Sequence, residues 1–112
     1  MNLSSELDTA LGDEIDGYQL LDGILAEAIS QSPALSSLWR HKDSASTSNH
    51  PVILIMKRTA DYICTATMIN GTVSLYPSVM HRQSQTRVSL ANPDAIDIIK
   101  DALIKYVETL HL

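Results

Sequence analysis

Phenylalanine is absent from these 112 residues, and the aromatic complement is one Trp and four Tyr. Aliphatic side chains must therefore fill the core. There is one cysteine, which rules out an intramolecular disulfide and suits a reducing compartment. No charged, then apolar, then small-residue leader stands at the start. The longest clean apolar run is Val52 to Met56, far short of the roughly 20 residues a bilayer demands. These absences predict a soluble, intracellular (cytoplasmic) protein with no membrane partner. Glycine-rich phosphate loops, nucleophile elbows and paired-acid motifs are missing as well. A non-enzymatic role without a cofactor is the resulting expectation.

Basic residues are missing from the whole first third. Before Arg40 stand Glu6, Asp8, Asp13, Glu14, Asp16, Asp22 and Glu27 with no Lys or Arg. That third carries −7 and the remainder +2, giving the net −5 of the chain. An acidic balance argues against non-specific binding to nucleic acid or anionic lipid. Hydrophobic residues at 45% and charged residues at 19% fit a folded chain, and the length fits one domain over 1–112.

Two helices and a sheet can be read from periodicity. Ser5-Glu6-Leu7 can open a short first turn that Gly12 ends. Asp13 then caps a helix from Glu14 to about Gln31. Ile15, Tyr18, Leu21, Leu25 and Ile29 share one face of it, widened by Leu20, Ile24 and Ala28. Asp16 and Glu27 fall on the solvated arc, whereas Asp22 falls within the apolar one. Ser32-Pro33 predicts a short second helix to about His41, with Leu35, Leu38 and Trp39 inward. Lys42 to Asn49 reads as a polar loop.

The period then changes to that of strands. "PVILIMKRT" is apolar on both faces, which predicts a central strand. "DYICTATMI" and "TVSLYPSVM" flank Asn70-Gly71, a two-residue type I′ hairpin signal. The implied register pairs Ile69 with Thr72, Met68 with Val73, Thr67 with Ser74, Ala66 with Leu75 and Thr65 with Tyr76. Cys64, Ala66, Met68, Val73 and Leu75 then share one face, and the Thr, Ser and Tyr residues share the other. Pro77 cannot donate to a ladder, so an edge or a bulge is expected there. "TRVSL" adds a short strand with Val88 and Leu90 inward, after a polar connection from Met80 to Gln85. Asn92-Pro93-Asp94 starts the last helix, which buries Ile96, Ile99, Leu103, Tyr106 and Leu110. The predicted fold is an α+β two-layer sandwich: helix, short helix, three or four antiparallel strands, helix, with the helices on one side of the meander.

Few residues suggest chemistry. Asp16-Gly17-Tyr18 resembles the middle of a calcium loop, but the spacing then puts Gly12 and Gly23 where calcium needs an acid and a bidentate Glu. His41, His50, His81 and His111 are scattered, and Cys64 has no Cys partner, so no zinc set forms. Cys64 reads as a small core residue. Asp22 is costly to bury unpaired, so it sits at a rim or meets a cation, Lys57, Arg58 or Arg87. Gly17 is either an ordinary tolerated glycine or a point of close backbone approach.

The expectation is a non-catalytic protein-interaction module: an adaptor, an assembly or secretion chaperone, or an inhibitor. It would act as a homodimer or as a subunit of a complex. The candidate partner-binding residues are Asp16, Asp22, Glu27, Trp39, Tyr76, Arg82 and Arg87, with a basic protein surface as partner. The alternative is a nucleic-acid-associated protein using the Thr/Ser-rich sheet face, Tyr76 and the basic connections at Trp39–Lys42, Lys57-Arg58 and Arg82/Arg87. Against it stand the acidic balance and the expected lack of stacking aromatics on the sheet.

Overall fold

The computed structural model describes residues 16–57, 61–78 and 85–109. Within them, helix α1 (Gly17–Ser30) precedes a 3₁₀ turn (Pro33–Leu35), five strands and helix α2 (Ala95–Thr109). The strands are β1 (Leu38–Lys42), β2 (Val52–Lys57), β3 (Tyr62–Ile69), β4 (Thr72–Pro77) and β5 (Thr86–Ser89). They form one antiparallel meander in the order β1-β2-β3-β4-β5. The expectations for Ser5–Leu7, Gly12, Asp13, Glu14, Ile15, Arg58, Arg82, the Met80–Gln85 connection and Leu110 lie outside the described residues.

Helix α1 starts later than its periodicity suggests. Asp16 has extended backbone (φ −63°, ψ 122°), and its Oδ1 accepts from Tyr18 N at 2.9 Å. It caps the helix instead of lying on the solvated arc. A short carboxylate that bonds the backbone two residues on competes with helical pairing, which is why it serves better as a cap. Leu21, Ile24, Leu25 and Ala28 are buried as predicted. Gly17 N donates to Ser48 O at 3.1 Å, and a Cβ at Gly17 would overlap that same oxygen. Of the two readings of Gly17, the structure shows the close approach.

The expected short helix to His41 does not form. Ser32 Oγ caps only the one 3₁₀ turn, and residues 38–42 run as the edge strand β1, paired from Leu38↔Lys57 to Lys42↔Ile53. Alternation in a strand sends Leu38 inward and Trp39 outward. Leu35 and Leu38 are buried, but Trp39 is 42% exposed, so its inward placement is overturned. The basic group Arg40–Lys42 thus lies in a strand rather than a connection. It also brings the strand count to five.

The hairpin follows the predicted register pair for pair, from Ile69↔Thr72 to Thr65↔Tyr76. Asn70 (φ 50°) and Gly71 (φ 75°) both take positive φ, and Asn and Gly accept that region at least cost. β4 lies inside the sheet, but β5 pairs with it only from Thr72 to Leu75. Pro77, beyond that pairing, forfeits no bond to β5. A register shift between Ile55 and Met56 opposes Ile55 to Cys64 and Met56 to Tyr62, so Ile63 is the extra residue of a bulge in β3. Both Ile63 and Cys64 are consequently buried.

Helix α2 opens two residues later than its sequence implies: Pro93 and Asp94 lie in a turn, and the helix begins at Ala95, with Asp94 O accepting from Ile98 N at 2.9 Å. Asn92 Oδ1 accepts from Asp94 N at 2.9 Å, and Asn92 O accepts from Ala95 N at 3.1 Å. Its stripe of Ile99, Leu103 and Tyr106 packs with the stripe of α1 over the inner sheet positions Ile53, Ile55, Ala66, Val73 and Leu75. The Tyr106 hydroxyl meets Thr86 Oγ1 at 2.7 Å. The core is aliphatic, as the lack of Phe requires. Among the described residues no helix is long and apolar enough to cross a membrane.

Candidate interaction surface

Both described helices pack on one side, and among the described residues no element covers the other face of the sheet. Cross-strand register arranges it in rows. Trp39 stands beside Met56 and Tyr62. His41, Leu54, Thr65 and Tyr76 form a second row. Val52, Thr67, Ser74 and Arg87 form a third, and Ile69, Thr72 and Ser89 a fourth. Asp43 N donates to Val52 O at 3.1 Å, which sets Asp43 at the β1 end of the third row.

This face is unusually apolar for an uncovered one. Trp39, Tyr62 and Ile69 are 42%, 39% and 49% exposed. Val52, Leu54 and Met56 beside them are half-buried. The two-sided apolarity of β2 does reflect a place inside the sheet, but helices cover only one of its sides. Trp39 is positioned by two contacts. Its Nε1 donates to Lys57 O at 3.1 Å, and its ring meets His41 edge-on at 5.9 Å between centroids. The Tyr62 hydroxyl hydrogen-bonds Thr65 Oγ1. No Asp or Glu occupies a strand position in these rows, so the face is free of acids except at the Asp43 end.

The candidate residues therefore divide between two layers. Trp39, Tyr76 and Arg87 share the bare sheet face. Asp16, Asp22 and Glu27 lie on α1, in the helical layer. They do not form one site. Asp16 is committed to its cap. Asp22 meets Arg40 of β1, with Arg40 Nε to Asp22 Oδ1 at 2.6 Å and both side chains 30% exposed. Its cation is thus Arg40, and not Lys57, Arg58 or Arg87. A strand at residues 38–42 explains this, since alternation turns Arg40 toward the helix layer, where Asp22 lies. Lys42, two residues on, reaches the same layer and sets its Nζ 4.7 Å from the centre of the Tyr18 ring. Glu27 is exposed and accepts from Gln31 Nε2 at 3.4 Å.

Tyr62, Ile69 and Asp43 were not singled out from sequence. Ile69 shares the parity of Thr65 and Thr67, so the hairpin register already contained its position. Tyr62 depends on the bulge, which leaves no local sequence mark.

Elsewhere the described residues offer little for chemistry. No three His, Cys, Asp or Glu side chains converge as a metal set, and no buried polar side-chain atom lacks a partner. Burial pushes the Cys64 thiol up to about 12, which suppresses the nucleophilic thiolate. Burial also raises Tyr106, and its hydrogen bond with Thr86 works in the opposite direction. Comparison with protein families, with curated proteins and with solved structures finds no match to this chain.

Proposed function

We propose that this chain is a non-catalytic protein-interaction module, in the class of adaptors, assembly or secretion chaperones and inhibitors. Its working surface is the bare sheet face. The observation that carries this reading is that Trp39 and Tyr62 at one end and Ile69 at the other, all substantially exposed, share one face with Val52, Leu54 and Met56 and that no described element covers that face. Large exposed apolar patches mark docking sites more often than they mark idle surface, and Trp and Tyr are the side chains that dominate such interfaces.

The acidic stripe of α1 is a weaker candidate. Asp16 and Asp22 make contacts within the fold, so reversing their charge would disturb folding and docking together. Glu27→Lys tests that surface cleanly. Affinity capture from the native cell should yield a partner with the unaltered chain and with Glu27→Lys, and lose it with Tyr62→Glu or Ile69→Glu. Loss with Glu27→Lys alone would move the working surface to α1.

One observation favours the nucleic-acid reading as a second possibility. Trp39, His41, Tyr62 and Tyr76 supply on the sheet the rings that the sequence was expected to lack there, on the same face as Arg87. Rings of this kind stack unpaired bases. A gel-shift series with single-stranded oligonucleotides distinguishes the two. Retardation that fades steeply with salt supports nucleic acid; none at low salt removes it.

A further inference from the structure

We infer that the open face docks a second copy of this chain, the two sheets stacking face to face about a two-fold axis that runs along β3. This rests on the reading of that face as a protein-binding surface and gives it an occupant.

The pattern of side chains on the face is self-complementary. β3 is the middle strand of five, and it carries Tyr62 and Ile69, two of the three large exposed hydrophobics. An axis along β3 brings each of them against its own mate, Ile69 toward the partner's Ile69 at one end of the strand and Tyr62 toward the partner's Tyr62 at the other. Charge lies at the margins. The row Asp43–Val52–Thr67–Ser74–Arg87 has an acid at the β1 end and a base at the β5 end. The same axis exchanges β1 with β5, so each Arg87 lies over the partner's Asp43. An axis across the strands would instead keep β5 over the partner's β5, bringing both Arg87 side chains to one edge and both Asp43 side chains to the other, and like-charge repulsion disfavours it.

Area and edges support the same occupant. Five strands about 4.8 Å apart, each about six residues at about 3.3 Å, project onto about 480 Å². With side-chain relief this gives about 1,200–1,400 Å² over both copies, the low end of specific interfaces. Pairing through the edge strand is the other route for two copies. β1 is blunted against it, because Arg40 and Lys42 turn toward the helix layer and are engaged by Asp22 and Tyr18. The acids of α1 and α2 lie on the far side of each copy, away from the contact.

Sedimentation equilibrium of the purified full chain, from about one to a few hundred micromolar, provides the test. The mass should rise from 12.3 kDa toward twice that. Ile69→Glu should weaken association at least about tenfold. Arg87→Glu should weaken it about tenfold, and adding Asp43→Lys should restore it to within about threefold; Asp43→Lys alone also gives up the acceptor of Ala45 N, so the double variant is compared with Arg87→Glu. Glu27→Lys should leave it unchanged, and circular dichroism melts of every variant report whether it folds. A chain that stays monomeric overturns the inference. The protein-binding reading survives that result if a cellular partner is still lost with Ile69→Glu. A dimer indifferent to Ile69→Glu and to the charge swap also overturns it. A monomer that retards single-stranded oligonucleotides overturns both readings.

Discussion

Gly17 and Gly23 sit six residues apart in one helix and answer opposite needs. Gly23 has open space where a Cβ would go, whereas at Gly17 a Cβ would overlap the Ser48 carbonyl. Gly23→Ala should raise stability by up to about 1 kcal/mol through helix propensity. Gly17→Ala should lower it by about 1–3 kcal/mol, because the overlap outweighs the same gain. Urea unfolding of the two variants checks both signs. Cys64 makes a prediction about pH. Its folded pKa of about 12 stands above its ordinary value of 9.0. The stabilising contribution is therefore complete below about pH 9 and is lost as pH climbs toward 12. Stability should fall across that window with a Cys64 share of about 1.4 kcal/mol per pH unit. Cys64→Ala should be less stable at neutral pH yet show a shallower alkaline slope.

At the scale of elements, legibility followed the range of the interaction that decides the structure. The β3–β4 hairpin was readable to the residue because Asn70-Gly71 and the alternation on either side act locally. The turn into α2 at Asn92 was readable for the same reason, although the helix itself begins at Ala95 and not at Pro93. The stretch from Leu38 to Lys42 was not. A capping serine, a proline and two adjacent apolar residues look helical locally, and only pairing with β2, a contact across the loop, makes the segment a strand. The wrong partner for Asp22 followed from that single error. The bare face was illegible as a site because its residues come from five strands and carry no motif. Two tests belong here. A double-mutant cycle on Asp22→Ala and Arg40→Ala should return a coupling of about 1 kcal/mol, since the geometry is good but the pair is partly exposed. Gly71→Ala should cost about 1–2 kcal/mol, because residue 71 keeps φ at 75°.

For the whole molecule, charge and hydrophobicity are sorted by layer. Among the described residues the helical layer takes most of the acids, and the sheet keeps its outer face almost free of them. A sorted molecule of this kind approaches others preferentially with one face. If two copies meet there, the melting temperature should rise with protein concentration, by mass action on the folded dimer. Ile69→Glu should flatten that dependence. Scanning calorimetry over a hundredfold concentration range gives the answer, and a flat line for the unaltered chain would count against self-association.

The bulge at Ile63 reaches beyond its own strand. A regular strand lends every second side chain to the interior, whereas β3 lends Ile63 and Cys64 in succession. Removing Ile63 would subtract one core side chain yet leave Tyr62 opposite Met56 and Cys64 opposite Ile55. The two stretches of β3 are thus in phase with their neighbours independently of each other. Most strand positions cannot lose a residue without turning the rest of the strand inside out. This one can, which makes it the joint at which the sheet can change length while each face keeps its identity.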